Sequence, residues 1–307
     1  MYFNNITNKV KNLINFFLHP KLLLIRITYI IKRLLFDFYF IFKKPYKFHS
    51  IFIAGMTMSS TTRVKNMCSL IPGYFTRHMP IPFNIRIHQN ICNSAFRYSP
   101  SWSYSLFKTH LNPTPNNLSV LKNNNVKKII VTYRDLRDVV LARYHRILKF
   151  PKKENEPFYL PAEKQYTNIT KEDGIDHCID VISEIVPDWI FDWFEASKIN
   201  NNLILFCKFE DLVLDPKKEF KKILNFYEIK LSEKNIDSII EKTKGNKKSM
   251  VKNLNEHKYL PYAYASNFRS GKIGGWKEEF TKKNIKKFKR LMGESLIKLN
   301  YEKDLNW

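Results

Sequence analysis

The chain has 307 residues, 44% hydrophobic and 15% aromatic, enough to bury a sizeable core in one large domain or two small ones; disorder, collagen and short disulfide scaffolds are excluded. Lys+Arg total 52 against 28 Asp+Glu, a net charge of +24, which points to an anionic partner: nucleic acid, a membrane surface or a phosphorylated small molecule. Forty of the basic residues are Lys and they accompany 29 Asn, a bias expected of AT-rich codons, so part of the charge carries no information about binding.

Residues 1–49 are apolar, aromatic and helix-prone, with nine Lys or Arg against the single acid Asp37. Charges interrupt every apolar run before the roughly 18 residues of a membrane span, and the segment is not a signal peptide. A basic aromatic arm of this kind suits the interface of an anionic bilayer, and packing on the protein's own surface is the alternative. From residue 50 onward, short β-rich runs alternate with helical periods, the pattern of parallel βα units. Strands are predicted over Ile51 to Ala54, Tyr104 to Lys108, Ile129 to Tyr133 and Leu203 to Cys207. Residues 150–170 read as a mobile loop, and 217–258 as Lys-rich helix. Cys68, Cys92, Cys178 and Cys207 are too few and too dispersed for a disulfide framework or a zinc cluster, and read as reduced thiols of a cytoplasmic protein.

Ligands of open parallel sheets bind at the carboxyl ends of strands. The first strand runs into Thr57, Met58 and the four hydroxyls Ser59, Ser60, Thr61 and Thr62 before a helix, a cradle outline for phosphate, although taken alone the motif more commonly signals a Ser/Thr-rich helix cap. The Gly-Lys-Ser/Thr ending of a nucleotide-hydrolase loop is absent. The second strand ends in Lys108-Thr109-His110, placing an ammonium and an imidazole together. A neutral imidazole there is able to take a proton while a cation stabilises developing negative charge. The third ends in Arg134-Asp135-Leu136-Arg137-Asp138, where a guanidinium either grips a second phosphate or closes a salt-bridged turn. Asn267 to Trp276 offers Arg, Ser, Lys and exposed backbone as a further anion clamp.

Together and in this order, these blocks resemble the sulfotransferase family that uses 3′-phosphoadenosine 5′-phosphosulfate (PAPS). The residues are Thr57 to Thr62, Lys108-Thr109-His110, Arg134 with Arg137-Asp138-Val139, Phe209-Glu210-Asp211, and Arg269-Ser270-Gly271 followed by Gly275-Trp276-Lys277. The resemblance implies a three-layer α/β/α domain over residues 50–307 with a central parallel sheet and a P-loop-like core. It further implies PAPS as co-substrate, no metal, and transfer of a sulfuryl group to a hydroxyl of a carbohydrate, lipid or small molecule. By the same resemblance His110 is the general base with Lys108 beside it, and Thr57 to Arg63 hold the 5′-phosphosulfate. Arg134, the position of Ala142, and Arg269 to Gly271 take the 3′-phosphate, and Phe209 and Thr243 flank adenine. The acceptor pocket is expected from 74–82 and 150–170.

The departures are specific. Met58 replaces the family's loop lysine, Ser60 its glycine, Arg63 its adenine-stacking aromatic and Ala142 its serine. Loss of one donor aimed at transition-state charge costs ~10²–10³ in rate unless Lys108, Arg63 or Lys65 takes over. A fold that binds nucleotide or glycan without turnover is therefore the competing reading. Nucleic-acid binding rests on charge alone, with no recognised motif. The family's dimer signature breaks at Lys282 and Lys286, which leaves the oligomeric state open.

Overall fold

The structure is a computed structural model and describes residues 20–77, 90–97, 99, 103–149, 169–199, 202–244 and 271–307. Chain contacts divide it into two units, one of Met1–Pro45 with Lys244–Phe268 and one of Tyr46–Thr243 with Arg269–Trp307. Within the first unit the expected helix is present as α1 (Pro20–Lys43). Among the described residues no helix is long and apolar enough to cross a membrane.

The second unit is built on a five-stranded sheet of order β2-β3-β1-β4-β5. Its strands are β1 (Ser50–Gly55), β2 (Phe75–Thr76), β3 (Ser105–Thr109), β4 (Ile129–Tyr133) and β5 (Ile204–Lys208), all paired in parallel. Four of them are the predicted strands, displaced by no more than one residue at an end. The two-residue β2 is too short to carry a period. Central β1 is buried from Ile51 to Gly55 and β4 from Ile129 to Thr132, as expected of strands covered on both faces.

Successive side chains of a strand point to opposite faces. Phe52, Ala54, Phe107, Ile129 and Val131 belong to one core cluster with Val140, Ile179, Ile190, Trp193 and Phe288. The last five come from helices α4 (Leu136–Lys149), α5 (Lys171–Ile199) and α10 (Lys282–Lys298), which pack on one another. The alternate residues Ile51, Ile53, Leu106 and Ile130 are equally buried and face the other side. There α2 (Thr61–Cys68) lies against β1 and β3, α7 (Pro216–Phe226) against β5, and α8 (Glu233–Thr243) against α2 and α7. The result is the expected three-layer α/β/α arrangement. Helix α3 (Pro115–Asn123) starts at Thr114, whose hydroxyl accepts from the Asn117 N–H with Pro115 at the first position, the pairing that favours a helix start.

A buried ionic network joins the C-terminal residues to the start of α4. Arg137 binds Asp135 through both Nε and Nη2 and reaches Glu302 through Nη1. Its guanidinium lies 4.2 Å from the Trp276 ring centre and 4.4 Å from that of Trp307. Glu210 accepts from the Asp135 N–H and from the Tyr301 hydroxyl. Burial raises the Glu210 carboxyl, opposed by those two hydrogen bonds. Of the predicted loop at 150–170, residues 150–168 lie outside the described residues, as do 78–82 of the expected acceptor wall.

Candidate active site

The sheet order places β1 between β3 and β4, so the carboxyl end of β1 is where connections leave in opposite directions, the usual ligand crevice of such sheets. The register Ala54↔Thr109 and Gly55↔Thr132 brings the three strand ends to one level. A Cβ added at Gly55 would sit 2.1 Å from Thr61 Oγ1, 2.4 Å from Thr61 Cγ2 and 2.7 Å from Thr132 Oγ1. No side chain fits at this position. The loop that follows holds two non-glycine residues in the left-handed region, Met58 at φ 60° and Ser60 at φ 63°, a conformation costing about 1–2 kcal/mol for an L-residue. Ser60 is also the N-cap of α2, and its carbonyl accepts from the N–H groups of Arg63 and Val64. The N–H groups of Thr61 and Thr62, the first of the helix, have no acceptor within it.

Two of the four expected anion-binding hydroxyls belong instead to the fold. Ser59 is buried, its hydroxyl donating to Met56 O at 2.7 Å and lying 2.7 Å from the Thr132 hydroxyl. Thr61 is buried and lies 3.2 Å from the same Thr132 hydroxyl. Nothing in the local sequence marks Thr132, yet its hydroxyl links β4 to the loop across more than seventy residues of chain. Ser60 and Thr62 remain partly exposed or exposed. The loop therefore presents backbone N–H groups and two hydroxyls, and its hand suits an anion-binding nest.

Both β3 candidates meet this loop. Lys108 Nζ lies 3.3 Å from Thr62 Oγ1. His110 Nδ1 is 2.5 Å from Gly55 O, and since a carbonyl only accepts, Nδ1 carries the hydrogen and Nε2 of a neutral ring keeps its lone pair. Gly55, Met56, Thr57 and His110 line a narrow cleft closed on its far side by Ile185, Val186 and Trp189 of α5. Arg63 is half-buried and its Nε finds no hydrogen-bond partner; burial lowers its pKa, and that of Lys65.

Arg134 takes the salt-bridged form. Its Nη2 donates to Asp138 at 3.2 Å and to Lys272 O at 2.9 Å, its Nη1 lies 3.4 Å from Met58 O, and its guanidinium stacks 3.9 Å from the Phe209 ring centre. Asp138 also accepts from the N–H groups of Gly274 and Trp276. Together the pair fastens the turn of Gly271–Trp276, in which Gly271 and Gly274 are left-handed, beside the β1 loop. The Lys272 ammonium pairs with Glu278. Ala142 is half-buried on α4, and Thr243 ends α8 with its hydroxyl bonded to Ile239 O. Arg269 and Ser270 lie outside the described residues. The structure thus brings together Thr57 to Arg63, Lys108, His110, Arg134, Phe209 and the turn after Gly271.

The sequence profile described as "Sulfotransferase domain" matches residues 48–300. The amine sulfotransferase of Oryctolagus cuniculus is 27% identical over 276 residues, 83% of this chain and 84% of that protein. The flavonol 4′-sulfotransferase of Flaveria chlorifolia is 30% identical over 182 residues, 55% of this chain. This chain spans 52% and 54% of the lengths of that enzyme and of the flavonol 3-sulfotransferase of Flaveria bidentis. Among solved structures, mouse sulfotransferase SULT7A1 complexed with PAP superposes at TM-score 0.57 with 18% identity, covering 85% of this chain and 90% of that one. Retinol dehydratase in complex with androsterone and PAP superposes at 0.53 with 19% identity, covering 81% and 80%.

Because Gly55 has no room for a methyl group, Gly55→Ala is expected to displace Thr61 and with it the α2 N-terminus. The variant should lose at least about tenfold in affinity for adenosine 3′,5′-bisphosphate, read by calorimetry, and unchanged affinity would show that the close approach does not shape the anion site.

Proposed function

We propose that this chain, which belongs to the PAPS-dependent sulfotransferase family, moves the sulfuryl group of PAPS to a hydroxyl of a small-molecule acceptor. The observation that carries the reading is that Lys108 and His110, from one strand end, both reach the loop of Gly55 to Thr62. His110 Nε2 takes the acceptor proton as the acceptor oxygen forms its bond to sulfur. The bond from sulfur to the 5′-phosphate oxygen breaks, and adenosine 3′,5′-bisphosphate leaves with that electron pair. The N–H groups of Thr61 and Thr62 and the helix dipole favour the 5′-phosphate charge, and Lys108 stands where it supplies the cation that Met58 does not.

Arg134 serves the 3′-phosphate end by holding the β1 loop to the turn after Gly271, with Arg269, Ser270 and Gly271 as the remaining contacts and the position of Ala142 contributing no hydrogen bond. Phe209, already stacked on Arg134, and Thr243 border the adenine, with Arg63 in place of an aromatic. The fit of this donor rests on the left-handed loop, the helix N–H groups and the unpartnered Nε of Arg63. For the acceptor, the apolar wall of Ile185, Val186 and Trp189 beside His110 favours a hydroxyl on an apolar or aromatic body. The relatives named for flavonols and amines agree in scale. Four free cysteines accord with a cytoplasmic setting.

We further assign α1 to an anionic membrane surface. Leu24, Ile27, Ile31, Leu34, Leu35, Phe38 and Phe42 recur at helical spacing and are all between 43% and 74% exposed. At 3.6 residues per turn they form one stripe, outside which Ile30, Phe36 and Tyr39 are exposed as well, and the positions of Arg26, Lys32 and Arg33 fall to its sides and back. An apolar stripe with basic flanks suits the lipid interface, each cation there adding about 1 kcal/mol, whereas pairing with a second copy would bring like charges together.

Turnover is tested with labelled PAPS and a panel of a flavonol, a phenol and an amine. His110→Ala should lower transfer by ~10²–10⁴ with affinity for adenosine 3′,5′-bisphosphate unchanged; retained transfer would remove the base assignment. Donor-product binding by the wild type with no transfer to any acceptor would favour the binding-only reading. Met58→Lys should raise the rate, by up to about a hundredfold if a missing cation limits it, and no gain would mean that Lys108 already fills the role. In flotation, the full chain should accompany phosphatidylserine-containing vesicles, and Leu35→Glu/Phe38→Glu should not. Equal flotation of both proteins, or a solution dimer abolished by the same changes, would overturn the membrane assignment.

A further inference from the structure

The peptide that follows His110 is held from an unexpected direction. On α5, Trp189 and Trp193 stand one turn apart with their rings edge to face, 6.2 Å between centres. Both indole N–H groups donate to the same acceptor, the Leu111 carbonyl, each at 3.0 Å. A carbonyl oxygen has two lone pairs, and here both are taken. The Leu111 N–H is also engaged, with Thr109 Oγ1 at 3.2 Å, and the Leu111 side chain is fully buried. The residue after His110 is therefore fixed at its N–H, its carbonyl and its side chain, while the imidazole is fixed by Gly55 O.

A buried indole needs some acceptor, but that need does not select one carbonyl for two rings. The choice matters because β3 ends at Thr109, so among the described residues the strand pairing stops short of His110 and Leu111. The two rings differ in a second respect: Trp193 is fully buried, whereas Trp189 retains slight exposure and lines the cleft with His110.

We propose that Trp189 and Trp193 are positioning residues that, through the Leu111 carbonyl, hold His110 in the Nδ1–H form with Nε2 directed into the cleft, and that Trp189 also forms the acceptor-facing wall. The inference rests on the reading of His110 as base. Small displacements of a catalytic group are costly, about a hundredfold for a misplacement near 1 Å, so two hydrogen bonds that pin its neighbour bear directly on rate.

The test uses the full-length chain, with the imidazole ¹⁵N–¹H spectrum reporting the His110 tautomer, calorimetry with adenosine 3′,5′-bisphosphate reporting an intact donor site, and transfer to quercetin, a flavonol, reporting turnover. In Trp189→Phe/Trp193→Phe the single Nδ1–H form should give way to a mixture and kcat should fall at least about tenfold, with nucleotide affinity within about twofold. Each single substitution should move both readouts the same way by a smaller factor. If the double variant no longer binds nucleotide, Trp193→Phe decides: a tautomer mixture supports the proposal and a wild-type spectrum overturns it. An unchanged tautomer with unchanged kcat in the folded double variant overturns it equally. Turnover surviving in His110→Ala would instead remove the base reading, leaving the tautomer result as a separate structural fact.

Discussion

At Gly55 the central strand passes so close to two threonine hydroxyls that a single methyl group would collide with both. That approach lets Thr61 tuck under the strand end and sets the start of α2, and it leaves the Gly55 carbonyl directed at the imidazole of His110. Thr132 completes the junction from the other flanking strand, so one hydroxyl holds Ser59 and Thr61 at once. The left-handed turns at Met58 and Ser60 follow from this geometry: the chain must leave a buried strand and enter a helix within five residues. Interactions elsewhere in the loop are strong enough to hold two side-chain-bearing residues in a conformation that glycine adopts freely.

The strands were legible because both faces of the sheet are covered, which makes β1 and β4 continuous apolar runs bounded by loop residues. That the loop after β1, the Lys108 to His110 segment and Arg134 lie together was legible because the ends of parallel strands share one edge of the sheet. What local pattern did not carry were partnerships across long stretches of chain. Ser59 and Thr61 read as outward donors, yet their hydroxyls are satisfied by Met56 and Thr132, since a buried hydroxyl without a partner would be costly. Asp138 read as half of a local turn, yet it accepts two backbone N–H groups from the turn before α9 (Trp276–Glu279). The 29-residue α5 was missed as a unit, and its interior Pro187 and Gly174 are residues that sequence rules place at helix ends.

The basic excess resolves into different kinds of charge. Several lysines are neutralised locally, such as Lys217 by Glu233 and Asp237, and Lys283 by Glu172, Asp173 and Asp176. Arg137 is an internal strut between two tryptophans, with no role at the solvent surface. Those that gather at the candidate site are few: Lys108 at the rim of the loop, Arg63 in the helix after it, and Arg134 behind it. Net charge alone points to any polyanion, whereas the proposed donor, a compact one, is the anion that these three clustered cations suit.

The turn fastened by Asp138 lies 136 residues further along the chain at Gly274, which has a kinetic corollary. Contacts of such separation carry more closure entropy than local ones and slow folding. The turn is in place only when a segment of residues 271–307 has joined a sheet whose strands all precede residue 209. A nascent or partly folded chain would hold the sheet without this turn, so any ligand that binds only with the turn in place favours the finished fold over every intermediate before it.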